Sequence, residues 1–137
     1  MGPGSHGSTF GGTPLACAVA TAVVREMVSQ KLADRAERLG RLIKESVESW
    51  GLPCVEGVRG LGLFRGVALR AEALPVPEGS TPAAFVNELC RQKGLLACPA
   101  GPQTLRLIPA LTIPEEVLEE GLALLKETLE QLCQAAS

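Results

Sequence analysis

A glycine-rich run with two adjacent hydroxyls is the strongest chemical signal in this 137-residue sequence, and it reads GSTFGG over residues 7–12. Glycines let backbone N–H groups approach a ligand closely, and the hydroxyls of Ser8 and Thr9 can donate hydrogen bonds to phosphate oxygens. A helix that starts just after the run would add a favourable dipole for an anion. The pattern predicts either a phosphate-binding loop or a plain flexible connection. It is not a Walker P-loop, because no lysine follows the glycines.

A lone arginine in an apolar strand is the second signal. Strand alternation sends Leu105 and Leu107 to one face and Arg106 to the other. Two interpretations remain open: a salt bridge to one of the fifteen acidic residues, or a bidentate clamp on a substrate carboxylate. The same two interpretations apply, with weaker support, to three further arginines, most of which are expected to be solvated: Arg59, Arg65 and Arg70.

The remaining reactive side chains favour structural roles. His6 is the single histidine, so we interpret it as a loop-packing residue rather than a general base. The five cysteines show no CxxC spacing and are expected to be buried, reduced thiols, with no metal site and no disulfide: Cys17, Cys54, Cys90, Cys98 and Cys133. Four acidic residues are best explained by the dipole at the start of a helix: Glu115, Glu116, Glu119 and Glu120.

Composition excludes several classes of function. A net charge of −2 and the absence of tyrosine give no electrostatic or stacking basis for nucleic-acid binding. No apolar block is long enough for a membrane span, and no charged segment precedes an apolar run at the start, as a signal peptide would require. The first five residues could partly be a cloning scar. We therefore expect a cytoplasmic protein without nucleic-acid or membrane partners.

Hydrophobic periodicity predicts four helices. The first has Thr13 as N-cap and Pro14 as first helical residue, and its residues 15–24 are apolar on almost every side. Two more are predicted over residues 31–50 and 82–93, and the second of these begins after Thr81 as N-cap and is stopped by Gly94. The helix over residues 31–50 places six apolar residues on one stripe: Leu32, Ala36, Leu39, Ile43, Val47 and Trp50. The last has a capping box of Thr112 and Glu115 and a stripe of five leucines: Leu118, Leu122, Leu125, Leu129 and Leu132.

Alternation of period two predicts short strands over residues 54–59, 61–70, 95–98 and 104–108, with a turn at Gly60 between the first two. Strands and helices in segregated blocks favour an α+β fold, in which one small antiparallel sheet carries helices on one face. Such a sheet can cover only one side of the first, all-apolar helix. Something else should cover the rest, which marks that helix as an interface.

Several motifs together resemble a known family. Residues 6–17, HGSTFGGTPLAC, are similar to the loop-helix junction of the class III pyridoxal-phosphate-dependent aminotransferases. The resemblance continues through VRGLGL at 58–63, KGLL at 93–96, and GP with LRLIP at 101–109. Within the class, the sequence of residues 100–113 and the acidic final helix look most like those of acetylornithine aminotransferases, with ornithine and succinylornithine aminotransferases as near relatives.

The resemblance implies a fold and a set of site residues. The fold is the C-terminal small domain of a type I pyridoxal-phosphate fold, with residues 1–13 as the cofactor-phosphate loop and residues 14–137 as the small domain with its preceding interdomain helix. Thr9 would bind the cofactor phosphate of the opposite subunit of a dimer, and Ser8 would lie near substrate or phosphate. Arg106 matches the arginine that binds the α-carboxylate of glutamate or 2-oxoglutarate. Thr13 departs from the family's usual asparagine, which puts that amide's role in doubt.

The family's catalytic lysine lies upstream of this loop, and no lysine here stands in its motif: Lys31, Lys44, Lys93 and Lys126 read as helix-surface or helix-end residues. Transamination needs that amine to hold the cofactor and move the α-proton. We therefore expect no catalytic residue in this chain, no pyridoxal phosphate bound to it alone, and no activity alone. The alternative is a stand-alone, non-catalytic binding or oligomerisation module of the same fold. An unrelated anion-binding α+β protein would require the motif matches to be coincidence.

Overall fold

A computed structural model describes residue 2 and residues 7–136 of the chain. The prediction made for His6 falls on a residue outside that part, as do four of the five residues named as a possible cloning scar. Within it, four helices, four strands and one 3-10 turn follow in the order α1 Pro14–Ser29, α2 Leu32–Ser49, β1 Val55–Leu61, β2 Phe64–Leu69, the 3-10 turn Ala71–Ala73, α3 Pro82–Gln92, β3 Cys98–Pro99, β4 Thr104–Leu107 and α4 Glu115–Ala135.

The chain divides into two compact units. Residues 1–33 form unit 1, which holds the glycine-rich loop and α1, and residues 34–137 form unit 2, which holds most of α2, the sheet, α3 and α4. The functional division into a loop of residues 1–13 and a small domain of residues 14–137 stays a prediction.

Unit 2 has the predicted α+β architecture. Its sheet has the strand order β1-β2-β4-β3, and every neighbouring pair is antiparallel. Alternation buries Val67 of β2 and Leu105 of β4 completely. They belong to one core cluster with the inward residues of three helices, among them Ile43 of α2, Val86 of α3 and Leu129 of α4. The sheet therefore rests on a helical layer that holds its strands in register.

Local sequence signals set the helix termini correctly in two places. Thr13 Oγ1 accepts a hydrogen bond from Ala16 N at 3.4 Å, and Thr81 Oγ1 accepts one from Ala84 N at 3.3 Å, each just before a proline at the first helical position. The leucine stripe predicted for α4 is buried along its whole length. Both N-cap predictions and the stripe are confirmed.

The predicted capping box of α4 is wrong. The helix begins at Glu115 with Pro114 as its N-cap, and no side chain caps it. Glu115 instead forms a bidentate ion pair with Arg38 of α2, at 2.8 and 3.0 Å. Two hydrogen bonds between opposite charges are stronger than the single bond that a capping box offers this carboxylate, so Glu115 binds Arg38, and the guanidinium lowers the pKa of the Glu115 carboxyl.

The first hairpin turns later than predicted. Gly60 lies inside β1, and the turn consists of Gly62 and Leu63. Gly62 has a φ of +49°, which favours glycine, whereas a Cβ at Gly60 would lie 2.1 Å from the Phe64 carbonyl oxygen across the ladder. Glycine at residue 60 therefore permits close strand approach instead of a turn. The third strand is also shorter than predicted, and spans Cys98–Pro99 only.

The cysteines do not share one environment, contrary to expectation. Cys54 and Cys90 are buried, and burial raises the pKa of each thiol, that of Cys54 to about 12. Cys17 and Cys98 are exposed, because α1 has no buried residue and Cys98 lies on the outermost strand of the sheet. All five are thiols, and the Sγ atoms of Cys54 and Cys133 lie 2.6 Å apart.

Candidate functional site

The glycine-rich loop of unit 1 is held by its own short contacts. Gly11 N donates to Ser8 Oγ at 3.0 Å, and Thr13 Oγ1 donates to the Phe10 carbonyl oxygen at 3.0 Å. A Cβ at Gly11 would lie 3.0 Å from Ser8 Cβ, so a larger residue would push the serine away. Gly12 adopts a φ of +79° just before the helix cap. Glycine is therefore favoured at both positions of this loop, by the close serine at residue 11 and by the positive φ at residue 12.

The loop offers donors suited to an anion. Ser8 and Thr9 are exposed, and Ser8 accepts a hydrogen bond from Gly11 while its own hydroxyl hydrogen stays available. The loop leads into the N-terminus of α1, a helix of 16 residues that carries no acidic residue in its first turn. Hydroxyl donors next to an uncompensated helix N-terminus fit the phosphate of a cofactor.

Arg106 lies on β4 of unit 2, on the face opposite the core. Its neighbour Leu105 is fully buried, whereas Arg106 is partly exposed and stacks over the Phe64 ring, with 5.8 Å from guanidinium carbon to ring centre. One guanidinium nitrogen donates to Cys98 Sγ at 3.3 Å, and Nε is buried without a hydrogen-bond partner in the described part of the chain. The ring and the thiol thus orient Arg106 without neutralising it.

The first of the two interpretations of Arg106, a salt bridge to an acidic residue of this chain, is not found. All fifteen acidic residues lie within residues 7–136, and the five ion pairs found there involve other basic residues: Arg38, Lys44, Arg91, Lys93 and Lys126. The charge of Arg106 is therefore open to an external carboxylate, for which a guanidinium provides two parallel donors.

A second arginine, Arg59, lies on this face, although the sequence pattern gave it only weak support as a carboxylate-binding residue. Arg59 of β1 pairs with Gly66 of β2, and Gly66 pairs in turn with Arg106. Residues directly opposite on neighbouring strands project from one face, so both guanidinium groups leave the same side of the sheet. Arg59 donates to Thr104 Oγ1 at 2.8 Å, and an open pocket of about 400 Å³ lies between the two arginines. The face concentrates positive charge.

Arg65 departs from the expectation that most of these arginines are solvated. It is 6% exposed, and it donates to the Gly60 carbonyl oxygen. Its parity is that of Leu63 and Val67, both buried, so strict alternation along β2 could have identified it as inward-facing. Arg70 and Arg59 are exposed, as expected.

The lysines agree with surface or helix-end positions. Three of them form surface ion pairs with Glu48, Glu127 and Glu130: Lys44, Lys93 and Lys126. Lys31 is exposed between α1 and α2, with a φ of +49°. None of the four lysines, all of which lie in the described part of the chain, is buried. Within them, no group of three or more metal-ligating side chains is arranged around a common point, and no helix is long and apolar enough to cross a membrane.

Comparison with known proteins gives a consistent result. Residues 1–129 match the class-III aminotransferase family. An ornithine aminotransferase from Bacillus subtilis is 40% identical over 93% of this chain and 29% of its own length. An acetylornithine aminotransferase from Streptomyces coelicolor is 37% identical over 98% of this chain and 31% of its own.

Solved structures agree with the sequence matches. The acetylornithine aminotransferase of Elizabethkingia anophelis superposes with a TM-score of 0.78 at 35% identity, and covers 96% of this chain and 32% of its own. The ornithine aminotransferase of Toxoplasma gondii superposes with a TM-score of 0.81 at 31% identity, with shares of 98% and 31%. The chain spans less than a third of the length of these relatives.

Proposed function

Because this chain belongs to the class-III aminotransferase family, we propose that it is the C-terminal segment of an acetylornithine:2-oxoglutarate aminotransferase of arginine biosynthesis. The observation that carries the proposal is Arg106, a guanidinium oriented by Phe64 and Cys98 and left without an acidic partner in the described residues. The similar relatives are divided between acetylornithine and ornithine aminotransferases, so the amino donor is the less constrained part of the proposal.

In this proposal Arg106 holds the α-carboxylate of glutamate or 2-oxoglutarate with two parallel hydrogen bonds. Arg59, on the same face, adds a second positive charge that attracts acidic substrates to the site. The stacked Phe64 ring limits the rotamers of Arg106, which lowers the entropy lost when the carboxylate binds.

Ser8 and Thr9 hold the phosphate of pyridoxal phosphate, and Ser8 also lies beside the substrate. Their exposure supports a role across a subunit boundary, with Thr9 serving the cofactor of the other subunit of a cytoplasmic homodimer. When bound, pyridoxal phosphate supplies the electron sink that lets an amino group move between an amino acid and a 2-oxo acid. Neither nucleic acid nor membrane is a partner in this proposal.

The 137-residue chain alone is expected to be inactive, because its lysines occupy surface and helix-end positions and none can hold the cofactor and move the α-proton. The test is an assay of the purified chain with pyridoxal phosphate, acetylornithine and 2-oxoglutarate. Glutamate formation at the rate of free pyridoxal phosphate is the expected result. Turnover above that background, lost when a single lysine is replaced, would contradict it.

The role of Arg106 is tested in the lysine-bearing enzyme that contains this segment. Arg106→Lys should lower kcat/KM for glutamate or 2-oxoglutarate by about 10- to 100-fold, which corresponds to the loss of roughly 1.5 to 3 kcal/mol of charged hydrogen bonding. The acetylornithine half-reaction should lose less, since its reacting amine is distal from the α-carboxylate. Lysine keeps the charge but lacks the planar fork, so the change isolates bidentate binding.

Arg70→Lys is the matched control, since Arg70 is an exposed arginine that follows β2 and lies outside the proposed site. It should change neither half-reaction. Equal losses for both substrates in Arg106→Lys, or no loss in either, would leave Arg106 with a structural role only.

The alternative is a stand-alone module that kept the fold without the chemistry. It is favoured by one observation: unit 2 contains a complete core of its own, built from α2, the sheet, α3 and α4. The two proposals differ in whether the reading frame continues upstream into a lysine-bearing domain. A frame without such a domain would favour the module.

A further inference from the structure

Two thiols far apart in sequence meet inside unit 2. Cys54 precedes β1 and Cys133 lies in the last turns of α4, 79 positions later, yet their Sγ atoms are 2.6 Å apart. That separation is shorter than a van der Waals contact between two sulfur atoms and longer than the bond of about 2.05 Å in a disulfide. The side chains therefore already point at one another, and bond formation needs little movement of either backbone.

The surrounding contacts fix both partners. The Cys54 carbonyl oxygen accepts a hydrogen bond from Arg70 N at 2.9 Å, which ties this residue to the end of β2, and Cys54 Sγ approaches the Leu129 carbonyl oxygen of α4 at 3.9 Å. Leu129, one helical turn before Cys133, is fully buried in the core. The pair thus joins the edge of the sheet to the final helix at a point where both pack into the core.

The two thiols differ in access. Cys54 is fully buried, whereas Cys133 is half-buried and is therefore the more accessible of the two. Burial also raises the pKa of the Cys54 thiol to about 12, so Cys54 reacts slowly with reagents in solution. The remaining cysteines lack this arrangement: Cys17 and Cys98 are exposed, and Cys90 is buried beside Thr128.

We propose that Cys54 and Cys133 are a modification site at which oxidation by a low-molecular-weight disulfide forms one intramolecular bond that joins the start of β1 to the end of α4. The Cys133 sulfur, as its thiolate, attacks one sulfur of the reagent and releases one thiolate. The Cys54 thiol, already in contact with Cys133, then bonds through its sulfur to the Cys133 sulfur of the mixed disulfide, and its proton passes to the second reagent thiolate, which leaves. Two protein thiols are oxidised, one reagent disulfide is reduced to two thiols, and the two protons leave with them.

The bond would close a loop of nearly 80 residues, and long closed loops restrict the unfolded chain most strongly in the chain-entropy description of disulfides. Because the thiols already touch in the folded state, little native strain should offset that gain. Oxidation should therefore raise the Tm of the chain by on the order of 10 °C, reversibly on reduction.

The test uses the 137-residue chain with Cys17 and Cys98 replaced by serine, which removes the two exposed thiols. After incubation with oxidised glutathione, we expect the intact mass to fall by two hydrogens, a linked peptide containing Cys54 and Cys133, and a higher Tm that returns on reduction. Cys133→Ser should abolish the link. Cys90→Ser, which removes a buried thiol without a sulfur partner, should keep it.

Three results would overturn the proposal. Glutathione retained as a stable adduct on Cys133 would mean that Cys54 cannot reach it. Linked peptides with another pairing would place the reactive geometry elsewhere. A 54–133 link that lowers Tm would mean that the native contact does not accommodate the bond. Because the mass and peptide readouts use intact thiols at both positions, they do not depend on a Cys54 variant folding.

Discussion

Helices α1 and α4 are both rich in apolar residues, yet they differ in how many of those residues are buried. No residue of α1 is buried, whereas α4 buries six: Leu118, Leu122, Leu125, Thr128, Leu129 and Leu132. In α4 the apolar residues form one stripe opposite glutamates, so a single layer of neighbours covers them. In α1 they surround the helix. Apolar content alone therefore does not predict burial, and the angular distribution of that content does.

The largest expected effect is a loss of stability when a side chain of α4 is truncated to alanine, and the same kind of truncation in α1 is its comparison. Leu129→Ala in α4 removes a side chain that is fully buried, and should lower the free energy of unfolding by about 2 to 5 kcal/mol. Val19→Ala in α1 removes one that is 55% exposed, and should cost less than about 0.5 kcal/mol. Urea denaturation of the 137-residue chain measures both. Similar losses would mean that α1 is packed in solution.

The opposite change, an added methyl group, separates tight from tolerant packing among the buried helices. A Cβ at Gly40 of α2 would lie 2.0 Å from the Gly62 carbonyl oxygen, so Gly40→Ala should destabilise the chain by about 1 to 3 kcal/mol. At Gly121 of α4 the nearest atom, Leu95 Cδ1, is 3.4 Å away, and Gly121→Ala should be neutral or gain up to about 1 kcal/mol of helix propensity. Denaturant midpoints test the pair, and a destabilised Gly121→Ala would contradict it.

The exposed apolar side chains of α1 should make the chain self-associate, because a patch of this kind lowers its free energy by burial against another copy. Leu15, Val19 and Val23 follow one another at helical spacing and are each more than half exposed. Val19→Glu should weaken association about tenfold, by the removal of roughly 1.4 kcal/mol of interaction. Ala123→Glu, on the exposed side of α4, is the charge-matched control. A wild-type chain that sediments as a monomer at every concentration would exclude the interface.

The smallest effect concerns the N-terminus of α4. The Arg38 guanidinium, through a side-chain hydrogen bond, lowers the pKa of Glu115 below its usual range. A lowered folded-state pKa contributes stability above the unfolded value near 4.5, and that contribution is lost as pH falls through the folded value. Thermal unfolding between pH 6 and pH 2 should therefore show a slightly smaller acid loss in Glu115→Gln than in the wild type. Identical pH profiles would mean that the ion pair has no net effect in solution.

Features with a short sequence range could be predicted well. Thr13 and Thr81 cap their helices because a hydroxyl reaches an N–H only three residues away, and the following prolines fix the first helical φ. Gly94, with a φ of +88°, stops α3 for an equally local reason. The period of apolar residues also identified α2 and α4, together with the face that each buries.

The candidate site was predictable only in part. The GSTFGG loop and Arg106 stand out in the sequence because their residue types are unusual for their positions. Arg59 does not stand out, since its place beside Arg106 depends on the register of β1, β2 and β4. The turn at Gly62 and Leu63 was missed because several glycines compete for it, and the ladder contact at Gly60 decides which of them bends.

The sequence by itself determined the α+β class, the caps of α1 and α3, the buried stripes and the family, because each depends on residues that are close together in the chain or on motifs read in order. Only the tertiary structure decided the partner of Glu115, the position of Arg59 beside Arg106 and the contact of Cys54 with Cys133. These depend on groups that lie far apart in the chain or on how strands lie against helices. Side chains interact with groups that are close in space, and for groups far apart in the sequence only the fold brings them close.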